Sequence, residues 1–159
     1  MSGRESREDA FARELASLLY KLCENVGACD EACVSGCGAT ASQGYTLLAL
    51  PDRGSLAMSE LSAAMGLANS TMTRMVDGLV RKKLAYREPD EADRRIVRVG
   101  LTPEGRRIRG SFAEGKRRVV KAVLSRVGSD EQRPILEALR ILSTAVESVM
   151  GQCKDACSL

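Results

Sequence analysis

Histidine is absent from this chain of 159 residues. That removes the commonest general base and the commonest nitrogen ligand for metals. A cysteine nucleophile needs a base and an orienting partner. No phosphate-cradling glycine loop, carboxylate dyad or cofactor fingerprint stands out either, so an enzyme is not expected. Long apolar runs are missing as well. The first twenty residues are charged and lack the continuous apolar core of a signal peptide. No run approaches the roughly 18 apolar residues that a membrane span needs. These absences predict a soluble, cytoplasmic protein with no membrane partner, whose thiols stay reduced unless chemistry or a metal intervenes.

What the chain does have is a patterned middle. From Ser59 to Arg98 it reads as two short amphipathic helices, a turn between them, and a charged hairpin. Leu61 and Met65, four residues apart, lead to Gly66, a good helix stop. Leu67 and Ala68 form the expected turn, and Asn69 is the best local N-cap for the next helix. There Met72, Met75, Val76 and Leu79 recur at three- and four-residue steps and make one apolar face. Ser70, Thr73, Arg74, Asp77 and Arg81 occupy the other. Small hydroxyls near a helix start, with an arginine one turn on, suit entry into the DNA major groove N-terminus first. Leu84 to Tyr86 and Ile96 to Val99 predict two short strands, joined by a run from Arg87 to Arg95 too polar to bury. The expected fold is mostly α with a small β wing, a winged helix-turn-helix plus flanking helices.

Charge points the same way. The whole chain carries +3, but Ser70 to Lys121 holds 15 Lys and Arg against 7 Asp and Glu, leaving that segment at +8 and the remainder at −5. A basic middle between acidic ends is the footprint of a phosphate-binding surface.

These residues together resemble the MarR-type winged-helix transcriptional regulators. The resemblance is carried by Glu60-Leu61, Met65-Gly66-Leu67 and Ser70 to Arg74, then by Leu79, Lys82-Lys83-Leu84 and Arg87 to Asp90. It continues through Asp93-Arg94-Arg95 and Leu101 to Gly105, so it runs from about Gln43 to Gly105. It implies a homodimeric DNA-binding regulator, a repressor acting on a palindromic duplex operator. The implied DNA contacts are Ser70, Thr71, Thr73, Arg74 and Arg81 on the recognition helix, with Arg94 and Arg95 on the wing. The chain departs from the family pattern twice. Lys83 stands where the family has a helix-ending glycine, so a different helix end is expected here. Ala92 stands where the wing tip often carries arginine, so Arg94 or Arg95 is expected to take over that contact.

The flanks read as helices. Ser6 to about Val26 opens with a Ser6–Asp9 capping box and carries an apolar stripe of Phe11, Leu15, Leu18, Leu19, Leu22 and Val26. A second helix runs from Thr40 to Leu50. A long helix starts at Pro103 and reaches Val127, with Gly110 and Gly115 as expected bend points. Ser129 with Gln132 predicts a capping box for a last helix with its own stripe, including Leu139, Leu142 and Val146. That is more apolar surface than a small winged domain covers, and a symmetric homodimer is the natural solution. The expected organisation is a dimerisation region of residues 1–39 and 103–159 around a DNA-binding domain of residues 40–102.

The resemblance leaves the cysteines unexplained. Cys23, Cys29, Cys33 and Cys37 lie in a segment rich in glycine and acidic residues, and Cys153 and Cys157 close the chain. Cysteine is ordinarily a small buried hydrophobe, but these polar surroundings do not suit a core. Spacings of four residues place thiols on one helical face. Without histidine, any metal site here is thiolate-rich, which favours an iron–sulfur cluster, Zn2+ or a softer metal. The residues leave three readings open: six candidate metal ligands, a thiol–disulfide sensor, or an inert structural role; a regulator that answers to a small molecule and holds a structural metal site is a further alternative.

Overall fold

The computed structural model describes residues 6–36 and 38–156, with side chains to 149. The elements run α1 (Arg7–Ser35), α2 (Ala41–Ala49), β1 (Ser55–Ala57), α3 (Met58–Met65), α4 (Asn69–Arg81), β2 (Ala85–Pro89), β3 (Val97–Leu101), α5 (Pro103–Leu124) and α6 (Ser129–Ala156). They form two compact units, Met1–Arg117 and Arg118–Leu159.

In the first unit, α2, α3 and α4 bury their apolar faces against a three-stranded antiparallel sheet of order β1-β3-β2. Leu47, Leu50, Leu61, Met72, Val76, Leu79, Val99, Leu101 and Ile108 form one core. Burying each such side chain is worth about 1.5–3 kcal/mol, which seats α4 with one defined face outward. Burial rises along β3 as it enters this core: Val97 is exposed, Arg98 half-buried, and Val99, Gly100 and Leu101 buried. Strand β1, which the sequence pattern did not announce, pairs Leu56 with Val99. Three residues are too short to show a period; the pairing depends on a partner more than forty residues away.

Several helix ends differ from expectation. Ser6 and Asp9 do form a capping box, but α1 continues past Val26 to Ser35, so Cys29 and Cys33 are helical instead of lying in a connecting loop. Its last turns are held by tertiary contact: Asp30 and Val34 are buried, and Val34 packs in a second core with Ala39 and Phe112. Asn69 is the first residue of α4, and Ala68 takes the extended cap position without a side-chain hydrogen bond. The expected difference at the end of α4 is one of residue and not of backbone: Lys83 adopts φ 59°, the left-handed conformation that glycine would take freely. Helix α5 runs unbroken through Gly110 and Gly115 from Pro103 to Leu124, three residues short of the expected Val127. Gly115 instead lets α1 approach, since a Cβ there would sit 3.0 Å from Cys33 Sγ.

In the second unit the expected Ser129–Gln132 box is replaced. Ser129 already belongs to α6, and Glu131 Oε2 accepts the Gly128 N–H at 3.2 Å. Gln132 donates to the carbonyls of Leu124 and Val127, both at 3.3 Å, and so covers the open end of α5. Ile135, Leu136, Leu139, Val146 and Val149 on α6 are exposed in the single chain, and Leu142 is half-buried. The stripe on α1 is likewise uncovered at Phe11, Leu18, Leu22 and Val26. No helix among the described residues is long and apolar enough to cross a membrane.

Candidate nucleic-acid interface

Helix α4 divides cleanly. Met72, Val76 and Leu79 are fully buried, and Ser70, Thr71, Thr73, Arg74 and Arg81 are all exposed. Because Ala68 has no side-chain acceptor to offer, the first turn of α4 presents backbone N–H groups of the kind that phosphate oxygens satisfy. Arg74 folds back along the helix, its Nε 3.5 Å from the Ser70 carbonyl.

The wing is braced at its base and open at its tip. Asp90 accepts the backbone N–H groups of Ala92 at 2.9 Å and Asp93 at 3.1 Å, and pairs with Arg98 at 2.9 Å. Those backbone bonds, then the Arg98 guanidinium, hold the Asp90 carboxyl below its usual range. Arg98 also donates to the Ser55 hydroxyl at 3.0 Å and its carbonyl at 2.6 Å, so the wing is tied to β1. Asp93 accepts the Arg95 N–H at 2.9 Å and closes the tip. Arg94 and Arg95 are exposed there, and neither makes an ion pair among the described residues.

Sequence reasoning missed the residue that joins wing to helix. Arg87 on β2 pairs with Asp77 at 2.6 Å and donates to the Thr73 carbonyl at 3.0 Å. Its guanidinium is therefore a strut between β2 and α4. The signal was present as an acid on the polar face of α4 and a base opening the hairpin, but nothing local said that they meet. Between the start of α4 and the wing lies an open groove of about 410 Å³, lined by Asn69, Thr73, Arg95 and Val97 among others.

The basic first half of α5 does other work. Arg106 donates to the Leu101 carbonyl at 2.8 Å, Arg107 pairs with Glu104, Arg109 with Asp52, and Arg117 with Glu114. Arg107, Arg109 and Arg117 are thus matched by carboxylates, whereas Arg74, Arg81, Arg94 and Arg95 on α4 and the wing tip are exposed.

Away from that face, a charged latch joins three helices. Lys116 on α5 donates to Asp30 of α1 at 2.7 Å and to the Tyr45 hydroxyl of α2 at 2.5 Å, while Tyr45 donates to Asp30. The Lys116 ammonium also lies 4.5 Å from the Tyr45 ring centre. Burial pulls the Lys116 pKa down, but the bonds to Asp30 and Tyr45 outweigh it and leave a net rise. A second tie reaches α4: Lys82 donates to the Gly38 carbonyl at 2.6 Å and to Gln43 at 2.7 Å.

The cysteines sort by place. Cys23 is exposed on α1, and Cys29 and Cys33 are half-buried further along it. Cys29 and Cys33 are one turn apart on one face, whereas Cys23, six residues before Cys29, points elsewhere at about 100° per residue. Cys37, Cys157 and the Cys153 side chain lie outside the described residues. Among the described residues no three cysteine or carboxylate side chains converge as a metal-holding group.

A sequence model of the MarR family matches residues 39–97. The HTH-type transcriptional repressor MdtR of Bacillus subtilis is 30% identical over 111 residues, 70% of this chain and 72% of that protein. The solved structure of a MarR family protein from Bacillus stearothermophilus superposes with a TM-score of 0.76 at 30% identity, covering 90% of this chain and 99% of that one. FabT of Streptococcus pneumoniae, solved in complex with DNA, has a TM-score of 0.79 at 20% identity, over 87% of this chain and 99% of its own.

Proposed function

This chain belongs to the MarR family of DNA-binding transcriptional regulators, which are not enzymes, and from that premise we propose that it is a homodimeric repressor of a palindromic operator. One observation carries the DNA reading: the exposed polar face of α4 and the exposed Arg94 and Arg95 sit on a frame made rigid by Arg87, Asp77 and Arg98. In this reading Ser70, Thr73 and Arg74 meet base edges, Thr71 and Arg81 flank them, and Arg94 and Arg95 reach phosphates or the minor groove. Relatives support it in kind: MdtR is a repressor, and FabT has been seen on DNA.

The dimer reading rests on the uncovered apolar stripes of α1 and α6. Residues 1–39 and 103–159 would supply the dimer contacts, and residues 40–102 would supply the winged domain. Two copies then place their α4 helices about 34 Å apart, one turn of DNA.

The response is assigned to the cysteines. A species held by thiolates, such as an iron–sulfur cluster, Zn2+ or a softer metal, sets the DNA affinity. Cys29 and Cys33 offer two ligands on one helix face, and further ligands would come from Cys37, Cys23, Cys153 or Cys157. The experiment has two arms. Protein purified without oxygen is examined by absorption spectroscopy and elemental analysis for a bound species. Duplexes recovered from a random pool are then tested for salt-dependent binding with and without that species. A salt slope typical of several phosphate contacts supports the regulator; a protein that recovers no duplex overturns it.

A further inference from the structure

Among the described thiols, Cys29 and Cys33 are half-buried whereas Cys23 is exposed. A small reagent reaches Cys29 and Cys33, and both lie on the α1 face that carries Asp30 toward α5. Residues four apart on a helix bring their Cβ atoms to about 5–6 Å, a span that one atom bonded to both sulfurs bridges. The hard donors nearby are already committed. Asp30 is held by Tyr45 and Lys116, and Glu31 accepts the Ala41 N–H at 3.1 Å. With no histidine in the chain, what remains is a bare dithiol. A dithiol without nitrogen or oxygen ligands selects soft, thiophilic centres over hard ones.

Deepening the regulator reading above and resting on it, we propose that Cys29 and Cys33 form a two-thiolate site for trivalent arsenic and similar soft Lewis acids, whose occupation releases the α1–α5 contact. With an arsenoxide the step balances without redox change. Two As–S bonds form, the As=O bond breaks, and the two thiol protons leave with its oxygen as water. The mechanical consequence follows from Gly115. Cys33 Sγ lies 3.0 Å from where a Gly115 Cβ would stand. An atom bonded to that sulfur at about 2.3 Å, the length of a metal–thiolate bond, needs space that α5 occupies. Moving α5 away breaks the Lys116 bonds to Asp30 and Tyr45, and the end of α1 is tied through Gly38 to Lys82 beside the recognition helix.

Phenylarsine oxide is the probe, used on the reduced full chain with binding counted by intact-mass spectrometry. A variant keeping only Cys29 and Cys33 (C23S/C37S/C153S/C157S) is expected to take one arsenical per chain, removed by a dithiol and resisting a monothiol. C29S or C33S in that background should lose it. DNA affinity of the same variant is expected to fall about tenfold on loading. Lys116→Met should give a similar fall without the arsenical and respond little further to it. If the two-cysteine variant takes up no arsenical, or C29S/C33S in the otherwise native chain binds as tightly as the parent, the site is wrong. Uptake without any change in DNA affinity overturns the release. A parent chain that binds no duplex at all refutes the regulator reading instead, and the arsenical count still decides the site.

Discussion

Arg87 and Asp77 meet across 2.6 Å, and the same guanidinium takes the Thr73 carbonyl, so the strand that opens the wing is fastened to the middle of the recognition helix. Replacing Arg87 with alanine should lower the unfolding free energy by only about 1 kcal/mol, since both partners are partly exposed. It should weaken DNA binding by about tenfold, roughly 1.4 kcal/mol, because wing and helix no longer dock as one body. Urea unfolding and fluorescence anisotropy on the same preparation compare the two. An affinity unchanged by the substitution would refute the strut.

The two DNA-facing arginines should fail differently. Arg74→Ala is expected to cost about 1–3 kcal/mol and relax specificity at one position per half-site. Arg95→Ala should weaken all duplexes alike and lower the salt slope by about one. Binding to a panel of single-base operator variants at several salt concentrations separates them, and an unchanged slope for Arg95→Ala removes the wing tip from the interface.

Lys83 holds φ 59° in an exposed position. Lys83→Gly should therefore stabilise the protein by about 1 kcal/mol, the left-handed penalty outweighing the extra chain entropy of glycine. Thermal unfolding tests it, and a lower midpoint would contradict the strain.

Asp90 supplies a pH dependence with a defined sign. Its folded pKa is depressed by the Ala92 and Asp93 N–H groups and by Arg98. Its contribution to stability is present above the unfolded value, about 3.9, and is lost as pH falls through the lower folded value. The stability gap between the parent and Asp90→Ala should be full at neutral pH and narrow below about pH 4. A gap independent of pH would show that the carboxylate charge is not what braces the wing.

The winged domain was readable because its signals are local. Met72, Val76 and Leu79 repeat at helical steps, Gly66 ends α3 at φ 64°, and the polar run after Arg87 marks a hairpin. What was not readable depends on distant partners. Nothing near Asp30 announces Lys116, 86 residues later, and without that bond and the burial of Val34 the glycine-rich end of α1 reads as loop. The α5 arginines read as a nucleic-acid surface because sequence shows their sign and not their partners, Glu104, Asp52 and Glu114.

Helix α1 is 29 residues long and buries only Asp30 and Val34 within its own chain. In the proposed homodimer most of its ordering energy must come from a second copy, so folding and assembly are a single mass-action equilibrium. The midpoint of unfolding should then climb with protein concentration. At low copy number the regulator would be limited by how many chains find each other, and every intact operator would add to the stability of the protein that occupies it.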